Sequence, residues 1–177
     1  MLSVKQTSLK PQDIVVCLKV LLSDGVKTIK YLAETLSISS GEIHGALKRA
    51  EESKLIIVEN RVPRVNSTSF VEFVIHGLKY SFPASGVGIV LGMRTGIAAF
   101  KEFDRNFSPT EALPLVWPYS EGRDYGLAIA PLFPSVPKAA AIDERLYMAL
   151  ALIDAMRVGA ARERAFAVEE LKMMLAR

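Results

Sequence analysis

The sequence predicts an α+β chain, mainly α: an N-terminal helix-turn-helix with a short hairpin, then a helical C-terminal region carrying a second hairpin. Three observations predict it. Residues 28–58, TIKYLAETLSISSGEIHGALKRAEESKLIIV, pass from helical to strand periodicity within about 30 residues. Residues 113–132 set two short apolar runs on either side of Ser120-Glu121-Gly122-Arg123. Residues 143–176 are apolar at helical spacing and broken once, at Gly159.

Residues 1–9 are polar. Lys10-Pro11-Gln12-Asp13 opens a first helix, since proline and an acid are accepted in the first turn. Ile14, Val15, Leu18, Leu21 and Leu22 continue it, and Ser23-Asp24-Gly25 stops it. Cys17 among these apolar neighbours reads as a small buried hydrophobe rather than a reactive thiol. Thr28 caps a second helix, whose Ile29, Leu32, Ala33 and Leu36 share one face. Ser37-Ile38-Ser39-Ser40 then interrupts the chain, with Ile38 as an apolar plug between hydroxyls. A third helix over 39–53 buries Ile43, Ala46, Leu47 and Ala50 and leaves His44, Lys48 and Arg49 nearer solvent. Leu55–Val58 is a strand, Glu59-Asn60 a turn, and Arg61–Val65 a returning edge strand, where Pro63 is tolerated.

This layout resembles the bacterial winged helix-turn-helix transcription regulators of the MarR, ArsR and IclR kind. The resemblance covers roughly residues 10–66 and is carried by Leu32-Ala33, Ile38-Ser39, Ile43, Ala46-Leu47-Lys48-Arg49, Glu51-Glu52 and Leu55-Ile56. It implies that helix 39–53 enters the DNA major groove. Ser39 and Ser40 would then sit near a phosphate, His44, Lys48 and Arg49 near base edges or backbone, and Arg61 and Arg64 on the wing. Glu42 and Gly45 depart from the pattern, because such readers often place Ser, Thr, Arg or Gln there. Lys54 stands where these families favour glycine. Those departures keep open a winged helix used for protein contact, such as an antitoxin-like partner. The tail, with its Leu-Val-Trp-Pro, Pro-Leu-Phe-Pro-Ser-Val-Pro and Ala-Arg-Glu-Arg runs, resembles uncharacterised bacterial regulators and adds no chemistry.

Behind residue 66, Ser69 and Glu72 match a capping box for a helix that is apolar on most sides through Leu78. His76 on it reads as a satisfied, partly buried histidine. Residues 84–111, with glycines at 86, 88, 92 and 96, read as a flexible connection into an irregular or short helical piece. Phe100, Phe103 and Phe107 would anchor that piece to the core. Gly86-x-Gly88 is neither a dinucleotide fingerprint nor a phosphate loop. Residues 113–132 read as a β-hairpin, and Pro131, Pro134 and Pro137 as a stiff non-helical connector. Two helices end the chain, Asp143–Val158 and about Ala160–Ala176. The first is apolar on nearly every face, which calls for a bundle completed within the chain or by a second copy. Arg157 and its neighbours are expected to pair with Asp154 and Glu163.

Residues 1–66 hold ten Lys or Arg against seven Asp or Glu, whereas 67–177 hold twelve of each, so the whole formal excess of +3 lies in the first segment. That suits a nucleic-acid partner. One cysteine and two histidines give no disulfide framework and no metal-ligand spacing, so neither metal nor cofactor is expected. No nucleophile stands beside a base in any recognisable motif, and no enzyme is expected. The N-terminus lacks a signal-peptide core, and the run from Leu146 to Ile153 is far below the ~20 residues of a membrane span, so a soluble protein is expected, and the single cysteine points to a reducing, cytoplasmic setting. The expected organisation is a DNA-binding domain over 1–66 and a dimerisation or regulatory region over 67–177. The expected function is a homodimeric regulator of double-stranded DNA, paired through its C-terminal helices. A ligand-sensing variant, with a small-molecule pocket between the first domain and the Phe-rich segment, is a third option.

Overall fold

The computed structural model describes residues 7–175 apart from Val26, Arg61, Val87 and 101–112. The chain is α+β and mainly helical. Helix α1 (Pro11–Leu22) begins where the Asp13 carboxylate takes the Lys10 N–H at 2.8 Å. Ile14, Val15, Val16, Cys17, Leu18 and Val20 are at most 1% exposed because α1 is packed from two sides. Helix α3 (Ser40–Glu52) and the second strand of a short hairpin cover one side, and a C-terminal helix covers the other. Burial of Cys17 also pushes its thiol well above the ordinary range, which removes it from thiolate chemistry.

Helix α2 (Ile29–Leu36) starts with the Thr28 hydroxyl accepting the Tyr31 N–H. It ends at Ser37, which is left-handed at φ 52°, with the Ile38 N–H bonded to the Ala33 carbonyl at 3.1 Å. Ile38 is 4% exposed and plugs the space between α2 and α3, as its place in the turn suggests. Strands β1 (Ile56–Glu59) and β2 (Val62–Val65) pair antiparallel from Ile56 opposite Val65 to Glu59 opposite Val62.

Helix α4 (Ser67–His76) starts earlier than its expected capping box. Asn66 is the cap, its side chain accepting the Ser69 N–H at 3.3 Å, and this start brings Phe70 and Val74 into the core. His76 is exposed rather than partly buried. A short helix α5 (Leu78–Ser81) follows Gly77.

The 84–100 and 113–132 stretches differ most from expectation. Residues 89–94 form a strand, β3 (Ile89–Arg94), followed by a single 3₁₀ turn over Gly96–Ala99. Strands β4 (Leu115–Pro118) and β5 (Asp124–Ala128) are not a hairpin. Each pairs antiparallel with β3, at opposite ends of it, and they meet in parallel where Leu115 faces Leu127. The three strands close into a small barrel. Closure at this size brings backbones into contact: a Cβ at Gly92 would overlap the Trp117 carbonyl, and one at Gly126 the Pro114 carbonyl. The glycines read as flexibility are thus the condition for packing. Phe100 does anchor to the core, edge-on to Phe166 at 5.7 Å, while Phe103 and Phe107 lie outside the described residues.

The proline-rich connector turns helical sooner than expected. Pro137 occupies the first turn of α6 (Val136–Ala141), where its missing N–H costs nothing. Helices α7 (Glu144–Val158) and α8 (Ala161–Leu175) follow as the spacing predicts. The apolar circumference of α7 is covered by its own chain: α1, α5, α6, α8 and the 3₁₀ turn all pack on it. One hydrophobic core runs without interruption from Ile14 to Leu171. Among the described residues no helix is long and apolar enough to cross a membrane.

Candidate nucleic-acid interface

The face of α3 opposite its buried Ile43, Ala46 and Ala50 is the surface that sequence periodicity singles out. Ser39 caps the helix: its hydroxyl accepts the Glu42 N–H at 3.2 Å, and the Glu42 carboxylate lies 3.2 Å from the same hydroxyl. The hydroxyl accepts from the Glu42 backbone and donates to the Glu42 carboxylate, so Ser39 has little capacity left for a phosphate. Ser40, His44 and Lys48 follow at four-residue spacing and are all exposed. No hydrogen bond or ion pair among the described residues holds His44 or Lys48. The three therefore form one free stripe along the outward side of α3.

Arg49 is not part of that stripe. Its Nε and Nη2 donate to the two oxygens of Asp13 at 2.8 and 2.6 Å, a bidentate pair with a carboxylate that is 0% exposed. The hydrogen bonds to Asp13 hold the Arg49 guanidinium above its usual range. Gly45 lies beneath it: a Cβ there would stand 3.0 Å from the Arg49 Nη1. Gly45 thus clears the path along which Arg49 folds back toward α1. Arg49, expected nearer solvent and near DNA, keeps 22% side-chain exposure, but its guanidinium is engaged with Asp13 inside the fold.

On the hairpin, the Arg64 Nη1 donates to Glu59 at 3.2 Å across the strands. Both side chains are well over half exposed, so the pair is a weak tether that a phosphate can displace. Arg61 lies outside the described residues. Ile57 and Val62 share the hairpin's outer face with that pair and are 50% and 43% exposed.

The charge on this side of the molecule is mixed. Lys48 stands with exposed Glu42, Glu51 and Glu52 on the same helix, and Thr7 donates a hydrogen bond to Glu52. The segment's formal excess is therefore not concentrated on α3. Among the described residues no group of three or more His, Cys, Asp or Glu is arranged to hold a metal ion.

A second polar cluster is buried around α7. Asp154 on α7 accepts from Thr95 Oγ1 at 2.9 Å, Trp117 Nε1 at 2.5 Å and Arg157 Nη1 at 2.6 Å. The expected pairing of Arg157 with Asp154 is present, whereas Thr95 and Trp117 were not foreseen. An aspartate inside Leu150–Met156 was the available signal, since a charge there demands partners. Arg157 also donates to the Phe82 carbonyl at 3.0 Å, and every bond in the cluster is internal. This cluster is structural.

No family model, curated protein or solved structure matches this chain.

Proposed function

We propose that the chain is a DNA-binding transcription regulator in which α2, α3 and the β1–β2 hairpin form a winged helix-turn-helix. Helix α3 would lie in the major groove, and the reading assigns the chain no catalysis. The observation that carries it is the Ser40–His44–Lys48 stripe: three exposed polar side chains on one helical face, with the opposite face fixed in the core. Lys48 would contact a phosphate or guanine edge and His44 a base edge, with Arg64 released from Glu59 to reach the backbone. The sequence expectation of pairing through the C-terminal helices has lost its motive on α7, whose faces are already filled. On the C-terminal helices, α8 with its 53% exposed Met173 is the surface left for pairing.

Selection against genomic fragments, followed by fluorescence anisotropy at about 50 and 200 mM salt, tests the reading. Salt-sensitive binding that falls in His44→Ala and Lys48→Ala is expected. No retained fragment, or affinity that does not change with salt, overturns it.

A second reading, a winged helix used for protein contact, is favoured by the acidic residues on α3 and by the exposed Ile57 and Val62. It expects a copurifying protein that is lost in Ile57→Asp and Val62→Asp, together with no DNA retention.

A further inference from the structure

A recess of about 790 Å³ opens between β3 and the corner where α6 meets α7. That volume falls in the range of roughly 300–1,000 Å³ typical of small-molecule sites. Small residues make its walls: Gly92, Ala98, Ala99 and Ala140 leave room where larger side chains would fill the space. Two phenol rings, Tyr119 and Tyr147, line it as well. The Tyr147 hydroxyl donates to the Arg94 carbonyl at 2.9 Å, and its ring stands edge-on to Trp117, so it is held in place.

The charged lining is biased toward acid. Asp124 is spent on Arg94 at 2.9 Å, which leaves Glu121 and Glu144 against Arg123. Desolvation, and then the charge and hydrogen bond of Glu121, hold the Tyr119 phenol above its ordinary range. Small apolar walls, aromatic faces and surplus carboxylate suit an ammonium group on an apolar body.

The same corner grips the helices behind α3. The Ser135 hydroxyl, at the start of α6, donates to the Leu36 carbonyl at 2.6 Å, in the last turn of α2 and next to left-handed Ser37. Asp143, between α6 and α7, holds Lys19 of α1 at 2.6 Å, and Arg145 donates to the Leu22 carbonyl at the end of α1. A ligand pressing on Ala140 and Glu144 therefore bears on the segment that clamps both helices.

We propose that this recess binds a small arylalkyl or alkyl ammonium compound, and that occupancy is passed through α6 to the turn between α2 and α3. The regulatory meaning of that transfer rests on the DNA-binding reading above, whereas the binding does not.

The experiment uses the full chain with 2-phenylethylammonium as probe and 3-phenylpropionate as its anionic counterpart. Binding is followed by calorimetry, and backbone amide exchange at Ile38 is followed by NMR. The cation is expected to bind with millimolar or better affinity and the anion not to bind. Glu144→Gln should weaken the cation about tenfold. Ala141→Trp, at an exposed lining position, should abolish binding without entering the core. Exchange at Ile38 should slow on binding in the unmodified chain and not in Ser135→Ala. No cation binding, preference for the anion, or indifference to both lining variants overturns the site. Binding with unchanged Ile38 exchange overturns the coupling. Cation binding with the Ile38 response but no DNA retention leaves this inference standing and removes the DNA-binding reading.

Discussion

The segment through residue 66 and the region behind it each bury a carboxylate against an arginine, but the two arrangements have different reach. Asp13 is 0% exposed and takes the Lys10 N–H and the Arg49 guanidinium, so all its partners lie within the first three helices. Asp154 is 2% exposed and takes its partners from the 3₁₀ turn's entry, from β4 and from its own helix. Through Arg157 it also reaches the carbonyls of Phe82 and Ala130. One acid ties α1 to α3 within the first segment. The other ties a barrel strand and the entry of the 3₁₀ turn to a helix, and through Arg157 to two further carbonyls, so the two should fail differently.

The largest effect is expected at Asp154. Asp154→Ala strands an arginine whose side chain is 4% exposed and leaves the Trp117 N–H without its acceptor. Removing one partner of a buried pair costs about 3–5 kcal/mol. Urea unfolding followed by Trp117 fluorescence should show that loss. A loss below about 1 kcal/mol, the range of an exposed pair, would mean that the hub is not closing the fold.

Asp13→Ala should cost less, about 2–3 kcal/mol, because Arg49 retains 22% exposure and can turn to water. This pair also separates stability from recognition. Arg49→Met is expected to lower the unfolding free energy while leaving affinity for a selected DNA fragment within about twofold, since a charge spent on Asp13 is not available to phosphate. Lys48→Met should do the reverse. Equal losses of affinity in both variants would return Arg49 to the interface.

These differences follow what sequence could and could not convey. The first three helices and the β1–β2 hairpin are legible because their apolar spacing is local: Leu32, Leu36, Ile43 and Ala46 fall on buried faces as periodicity predicts. The direction of Arg49 is not legible, because it depends on Asp13, 36 residues earlier, and on the space left by Gly45. The barrel was illegible for a related reason. Glycine serves both mobile loops and close backbone approach, and only the distant Trp117 and Pro114 carbonyls decide between them at Gly92 and Gly126. The recess beside the barrel inherits that illegibility. Its residues come from four separate stretches, none of which carries a motif.

Where the two regions join, the Lys19–Asp143 pair gives a smaller effect that depends on pH. Burial alone would raise the Asp143 carboxyl, but the hydrogen bond from Lys19 and the Leu146 N–H outweigh it and leave its pKa below 3.8. Burial likewise disfavours the Lys19 ammonium, and its bonds to Asp143 and Tyr31 carry it above 10.5. The Asp143 contribution is therefore present above 3.8 and lost as pH falls through its lowered folded value. The Lys19 contribution is present below 10.5 and lost as pH rises through its raised one. The stability difference between the unmodified chain and Asp143→Asn should be about 1 kcal/mol, flat from roughly pH 5 to 9, and smaller outside that window. A difference that changes steadily across neutrality would show that another group carries it.

The smallest expected effect has the opposite sign and again divides the molecule. In the barrel region the left-handed positions are glycines, Gly88 at φ 88° and Gly96 at φ 59°. In the first segment Gly25, at φ 77°, is joined by three positions that carry side chains: Ser37, Lys54 and Asn60, at φ 52°, 62° and 50°. Asn60 suits its turn, and the Ser37 turn is braced by the Ser135 bond to its neighbour Leu36. Among the described residues no comparable bond braces Lys54. It closes α3, with its own N–H on the Glu51 carbonyl and the Leu55 N–H on the Ala50 carbonyl at 2.9 Å, the bonding that usually recruits glycine. Lys54→Gly removes the strain of a Cβ at positive φ, partly offset by a freer unfolded chain, and should stabilise the protein by about 0.5–1 kcal/mol. Thermal unfolding measures it directly. A destabilised variant would mean that the lysine side chain itself contributes, and the end of α3 would then be the place to look for its partner.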